Sequence, residues 1–148
     1  LTTTAKTPHP WRFGHDQAGY NYRMPNINAA LGCAQMEQLK EFIQAKRDLA
    51  SAYAAVFSQA NGFNFVLAPE NADSNYWLNT LILEEAFSDQ LETILEKVNN
   101  GGFMVRPAWE PMHRLPMFST VPKMDLSATE DLSDRVINIP SSVPGEKI

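Results

Sequence analysis

The sequence predicts a small α/β or α+β domain preceded by a long helical segment. Three observations support this prediction. The length of 148 residues suffices for about one domain. A helical pattern of apolar residues runs from Asn26 to about residue 61, and short strand-like segments then alternate with helical ones. With 44% apolar and 20% charged residues, the composition is that of a globular protein rather than a disordered one.

The charge balance excludes several classes of partner. Asp and Glu number 17 against 12 Lys and Arg, so the chain lacks the basic surface that nucleic acid binding requires. The longest apolar runs are far shorter than the about 18 residues typical of a membrane-spanning helix, so no membrane partner is predicted. Cys33 is the single cysteine, and the chain has no signal-type start, which together predict a cytoplasmic location.

The first part of the chain predicts an arm followed by helices. Residues 1–25 have no helical stripe and are rich in aromatic and basic side chains, which is typical of an extended arm. Asn26 is a suitable helix N-cap. The apolar stripe turns by about a quarter revolution after Leu39, so residues 26–61 predict connecting helices with a break near 38–41. Gly62 supplies the stop signal that follows.

Residues 62–148 predict the small domain itself. The predicted elements are strands in Phe63–Leu67 and Asn75–Leu83, a helix capped by Ser88, a strand at 103–106 halted by Pro107, a helix with a Ser127/Glu130 capping box, and a strand at Val136–Ile139. Between the last two strands, prolines interrupt a loop of about 19 residues from Pro107 to Asp125. A loop of that length in a compact domain is usually functional.

Two segments carry residues suited to ligand chemistry, whereas phosphate-loop, dinucleotide, nucleophile-elbow and metal-binding motifs are absent from the sequence. In the first segment, Asn21 offers a neutral donor and Arg23 a planar fork of donors, a combination that suits a phosphate. The alternative for this segment is a linker of packed aromatic residues in which Arg23 pairs with a carboxylate.

The second segment is the proline-rich loop, which presents Arg106, Trp109, His113 and Arg114. Flat apolar faces beside cations suit a nucleotide sugar, because the ring can stack on the base or sugar while the cations bind the pyrophosphate. The alternative is that the loop only caps the sheet, with Trp109 buried and His113 hydrogen-bonded to the backbone.

Together, GYNYRMPNINAALGCAQMEQL, RPAWEPMHRLPMF and RVINIPSS resemble the DegT-type sugar aminotransferases, in the same order and with the same gaps, over about residues 1–142. Within that family the sequence is most similar to the group that acts in legionaminic-acid-type nonulosonate pathways. The resemblance implies a homodimeric pyridoxal-phosphate enzyme of aspartate-aminotransferase fold (fold type I), with this chain as its C-terminal small domain. It implies amino transfer from glutamate to the C4 keto group of a nucleotide-linked 6-deoxy sugar.

The resemblance also implies roles for individual residues. Asn21 and Arg23 would reach the cofactor phosphate of the neighbouring subunit, and Arg106, Trp109 and His113 would lie near the sugar-nucleotide pocket. No lysine of the chain matches the Schiff-base motif, so that catalytic lysine is expected upstream and no catalytic residue is expected here. We therefore expect a fragment, truncated at both ends and inactive alone. Alternatives are a non-catalytic nucleotide-sugar-binding or regulatory module, and an oligomerisation domain using the small residues from Ala29 to Ala34.

Overall fold

The computed structural model describes residues 22–143. The chain divides into two compact units, Leu1–Lys40 and Glu41–Ile148. Within the described residues, each helix is too short or too polar to cross a lipid bilayer. The second unit holds a four-stranded sheet, two short helices and the last part of a long one.

The long helix α1 runs from Asn26 to Phe57 and begins where the sequence predicts. The predicted break near residues 38–41 is not found, because these residues lie within one α-helix. The rotation of the apolar stripe instead marks a change in surroundings: up to Glu41 nearly every side chain is exposed, whereas from Phe42 onward one face is partly covered and Ala50 is buried. The apolar stripe can therefore rotate from an exposed part of the helix to a covered part without any interruption of the helical backbone.

The sheet is antiparallel throughout and has the strand order β1, β2, β4, β3. Its strands are β1 (Phe63–Phe65), β2 (Asn79–Leu83), β3 (Arg106–Pro107) and β4 (Val136–Ile139). The alternation of buried and partly buried residues along β2 and β4 gives the sheet one covered face and one partly exposed face. Gly62 precedes β1 with a φ of 86°, a conformation that glycine adopts without strain.

The hydrophobic core lies on the covered face of the sheet. Its buried members are Leu81, Leu83, Leu91, Leu95, Val105, Ile137 and Ile139. Tyr53 and Phe57 of α1 pack at its margin, with ring centroids 6.3 Å from Phe65 and 6.2 Å from Phe63 respectively. Residues from α1, from the strands and from the next helix thus contribute to one core.

Helix α2 (Leu91–Asn100) buries Leu91 and Leu95 against this core. The sequence predicts that Ser88 caps this helix, but Ser88 lies inside a 3₁₀ segment, Glu85–Gln90, that leads directly into α2. The helix ends before Gly101 and Gly102 as predicted, and Asn99 donates from its side-chain amide to the Val105 carbonyl oxygen at 3.0 Å. This bond fixes the chain that leads to β3.

The capping box predicted for helix α3 (Ser127–Ser133) is not formed. The Ser127 amide and hydroxyl instead donate to the two carboxylate oxygens of Asp125, each at 3.1 Å. The Glu130 carboxylate is therefore available to accept a hydrogen bond from another element.

The predicted strand at residues 103–106 is reduced to Arg106–Pro107, and Pro107 belongs to the strand rather than halting it. Strand β3 lies at the sheet edge, where it pairs with β4 alone, Arg106 opposite Asn138 and Pro107 opposite Ile137. A proline is tolerated on an edge strand because its missing N–H removes no bond from a second neighbour.

Candidate functional site

One concave surface with a basic character is a groove of about 560 Å³, here called the Arg106 groove. It lies in the second unit, where β3, the end of β4, the residues before β2 and the middle of α1 come together. Its lining residues are Lys46, Trp77, Leu78, Met104, Arg106, Asn138, Ile139, Pro140, Ser141, Ser142 and Val143. Among these described lining residues two carry a positive charge and none carries a negative one, so the groove favours an anion.

Arg106 is held at the groove by its position in β3. Its backbone pairs with Asn138, and its guanidinium contacts the Met104 sulfur at 3.7 Å. Three other described arginines each form an ion pair with an aspartate, whereas among the described residues no carboxylate lies within ion-pair distance of Arg106. Its planar fork of donors is thus available to a ligand anion.

Asn138 is oriented by two neighbours, the side chain of Thr80 on the same face of the sheet and the backbone of Pro107 in β3. Its Oδ1 accepts from the Thr80 hydroxyl at 3.0 Å, and its Nδ2 donates to the Pro107 carbonyl oxygen at 3.4 Å. The amide nitrogen carries two hydrogens, so Asn138 has a second N–H donor besides the one that binds Pro107.

Lys46 brings a second cation into the groove from α1. Its ammonium donates to the Ser141 carbonyl oxygen and lies 3.5 Å from the Trp77 carbonyl oxygen. Both acceptors are neutral, and no carboxylate of residues 22–143 lies within ion-pair distance of Lys46. Lys46 therefore adds to the positive potential of the groove while it ties α1 to the chain after β4.

Trp109 lies in the segment from Pro107 to Phe118, here called the proline loop, but it does not line the Arg106 groove. The side chain is 82% exposed, so the alternative of a buried, sheet-capping Trp109 is not what the structure contains. An indole this exposed is accessible to a stacking partner.

His113 and Arg114 of the proline loop are bonded to α3 and the residue after it. The His113 side chain is only 9% exposed, and its Nε2 lies 2.9 Å from the Glu130 carboxylate. Arg114 donates to both carboxylate oxygens of Asp134, at 2.8 and 3.3 Å. This bond lowers the pKa of Asp134 and raises the pKa of Arg114. We call these two pairs the α3 anchor.

The predicted cofactor residues lie before α1. Asn21 is outside the described residues, and Arg23 is exposed at the start of the described chain. For a metal, the described residues contain no group of three or more His, Cys, Asp or Glu side chains arranged to hold an ion.

The structure thus brings Arg106 together with residues that the sequence does not single out. Lys46, Trp77 and Asn138 are the main additions. Asn138 and Ser141 belong to the RVINIPSS segment, which carries part of the family resemblance, and Trp77 belongs to the predicted strand segment Asn75–Leu83. Nothing in the sequence places Lys46 beside them. Trp109 and His113 remain outside the groove, on the adjoining loop.

Comparison with known proteins gives a match over nearly the whole chain. The DegT/DnrJ/EryC1/StrS aminotransferase family matches residues 4–145. The GDP-perosamine synthase of Vibrio cholerae is 35% identical over 133 residues, which are 88% of this chain and 35% of that protein. The GDP-perosamine synthase of Escherichia coli O157:H7 is 34% identical over 132 residues, 88% of this chain and 34% of that protein.

Solved structures of sugar aminotransferases share the fold. PseC of Helicobacter pylori, an aminotransferase involved in the biosynthesis of pseudoaminic acid, superimposes with a TM-score of 0.82 at 18% identity, over 95% of this chain and 38% of PseC. DesI, solved in the presence of its TDP-sugar product, gives 0.75 at 23% identity, over 84% of this chain and 32% of DesI. The chain spans about a third of the length of the curated relatives that it matches.

Proposed function

Because this chain belongs to the DegT/DnrJ/EryC1/StrS aminotransferase family, we propose that it is part of a pyridoxal-phosphate-dependent sugar aminotransferase. The proposed reaction moves the amino group of glutamate to the C4 keto group of a nucleotide-linked 4-keto-6-deoxy sugar. The observation that carries the proposal is the family match over residues 4–145. The two GDP-perosamine synthases, each at least 34% identical, support a nucleotide-linked sugar as the acceptor.

For the cofactor, we assign Asn21 and Arg23 to the phosphate group. The guanidinium of Arg23 provides only N–H donors, and the amide of Asn21 provides two. A phosphate dianion, which accepts hydrogen bonds, suits both groups. Pyridoxal phosphate supplies the electron sink that amino transfer needs. The proposed enzyme is a homodimer in which these two residues serve the neighbouring subunit, and its Schiff-base lysine comes from outside residues 1–148.

For the sugar nucleotide, we assign the anion to the Arg106 groove. Arg106 has an available donor fork, Lys46 adds charge, and Asn138 adds an amide donor. The exposed indole of Trp109, on the adjoining loop, provides a stacking surface for the sugar or base. Chain residues thus bind and orient the substrate, while bond-making groups come from the rest of the enzyme.

The experiment that tests this function joins the chain to the sequence that precedes it in its gene. The longer protein is loaded with pyridoxal phosphate and given glutamate with either a GDP-linked or a UDP-linked 4-keto-6-deoxy sugar. We expect 2-oxoglutarate and a 4-amino sugar in equal amounts from one of the two substrates. Omitting glutamate is the control, and failure to aminate either sugar would contradict the proposal.

A further inference from the structure

The strongest feature outside the groove is the way the proline loop is fixed around Trp109. Trp109 is 82% exposed, and a surface segment gives a binding partner a defined position only where the segment itself is held in place. Here the segment is fixed on both sides of the indole. On one side, Pro107 is in β3, opposite Ile137, and its carbonyl oxygen accepts from Asn138.

On the other side, the α3 anchor fixes the loop. His113 lies in a 3₁₀ turn, Met112–Arg114, and its nearly buried side chain bonds to Glu130. Arg114 forms a two-pronged bond to Asp134 and lies 3.9 Å from Glu110. Paired donors to one carboxylate set direction as well as distance. The five residues between Pro107 and His113 are therefore held at both ends.

We infer that His113 and Arg114 are positioning residues: they bind α3 so that Trp109 is preorganised as a stacking surface for the sugar nucleotide. The inference deepens the proposed function and rests on it for the identity of the ligand. It also assigns His113 a different role from direct substrate contact, because its side chain faces Glu130 and is almost fully covered. Preorganisation of this kind lowers the entropic cost of binding.

The first test measures the loop itself in the 148-residue chain. The sequence contains three tryptophans, so Trp11→Phe with Trp77→Phe leaves Trp109 as the single fluorophore. Into this background we introduce Glu130→Ala and Asp134→Ala, singly and together. The matched control is Asp131→Ala, which removes an aspartate of the same helix that pairs with Arg135 rather than with the loop.

Removal of the anchor is expected to lower the fluorescence anisotropy of Trp109 and to increase its quenching by acrylamide. The double variant should show the larger effect, and Asp131→Ala should leave both quantities unchanged. Circular dichroism checks that each variant retains its helices. Equal anisotropy in the double variant and the control would overturn the inference.

The second test measures substrate binding in the longer, cofactor-loaded enzyme. Because the anchor positions a binding surface and no reacting group, Glu130→Ala with Asp134→Ala is expected to raise KM for the sugar nucleotide about fivefold and to change kcat less than about twofold. Asp131→Ala should change neither. A fall in kcat with an unchanged KM would overturn the positioning role.

The two arms separate this inference from the proposed function. An unsubstituted enzyme that aminates no nucleotide sugar contradicts the proposed function, while the anisotropy measurement still decides whether the anchor fixes Trp109. A mobile Trp109 in the double variant together with an unchanged KM would show that the anchor does not serve substrate binding, and would overturn the inference alone.

Discussion

Arg106 differs in its surroundings from three other described arginines. The other three are paired with carboxylates within the fold: Arg47 with Asp73, Arg114 with Asp134, and Arg135 with Asp131. The guanidinium of Arg106 faces a groove that also receives the ammonium of Lys46. A charge-assisted bond to a phosphate of the ligand is the interaction that such an arrangement favours.

Replacing Arg106 by glutamine in the longer, cofactor-loaded enzyme should weaken binding of the sugar nucleotide. Loss of a hydrogen bond to a charged group costs about 1.5–3 kcal/mol, so KM is expected to rise about tenfold or more. Steady-state kinetics with varied sugar nucleotide gives the value. Arg47→Gln, which removes an arginine that is already paired, serves as the control, and an equal rise in both variants would argue against a role for Arg106.

Residue types from Arg106 to Phe118 were sufficient to predict Arg106 and Trp109 as candidates, because cations and aromatic rings are concentrated there. Lys46 could not be predicted in the same way. The sequence shows only that Lys46 belongs to the long helix. It lies at the Arg106 groove because it contacts Trp77 and Ser141, which are 31 and 95 positions away in the chain. Long-range contacts of this kind depend on the packed fold.

At the scale of elements, local sequence signals predicted all four strands, but only β4 has the predicted limits, since β2 begins at Asn79 rather than at Asn75. Strand β4 occupies Val136–Ile139 as predicted, since a β-branched run followed by proline leaves few alternatives. Strand β3 was overestimated because an edge strand pairs on one side only, and a two-residue pairing with β4 is all that it forms. Hydrogen bonding to the neighbouring strands sets where β2 and β3 begin and end, so their limits do not follow from their own residues alone.

The two faces of the central strands should respond differently to the same small truncation. Ile137 is 2% exposed on the covered face, and Ile137→Val should lower the free energy of unfolding by about 0.5–1.5 kcal/mol. Ile82 lies on the other, partly exposed face of β2, so Ile82→Val should cost about half of that or less. Urea unfolding of the 148-residue chain measures both, and a larger loss at Ile82 would contradict the assignment of the faces.

At the scale of the whole molecule, the chain corresponds to about a third of its relatives' length, yet the Arg106 groove lies entirely within the second unit. This arrangement makes it possible to distinguish a part of an aminotransferase from a non-catalytic binding module. If the groove is one side of a larger site, it will lack the contacts that close over a ligand. If the chain is a non-catalytic binding module, the groove should suffice by itself.

We expect the 148-residue chain alone to bind neither UDP-linked nor GDP-linked sugars at micromolar concentrations, because the groove is open and supplies only part of the proposed site. Titration calorimetry makes the distinction, since a micromolar dissociation constant corresponds to about −8 kcal/mol. The longer protein is the positive control. Micromolar binding by the 148-residue chain would favour the binding module over the aminotransferase fragment.

The brevity of the outer strands has a consequence for the behaviour of the chain in concentrated solution. An exposed sheet margin can recruit a strand from another molecule and so begin aggregation. Here one margin, β1, offers three residues, and the other offers two, of which Pro107 has no N–H to donate. Both margins are therefore poor templates for an added strand, which disfavours amyloid-like growth from the sheet.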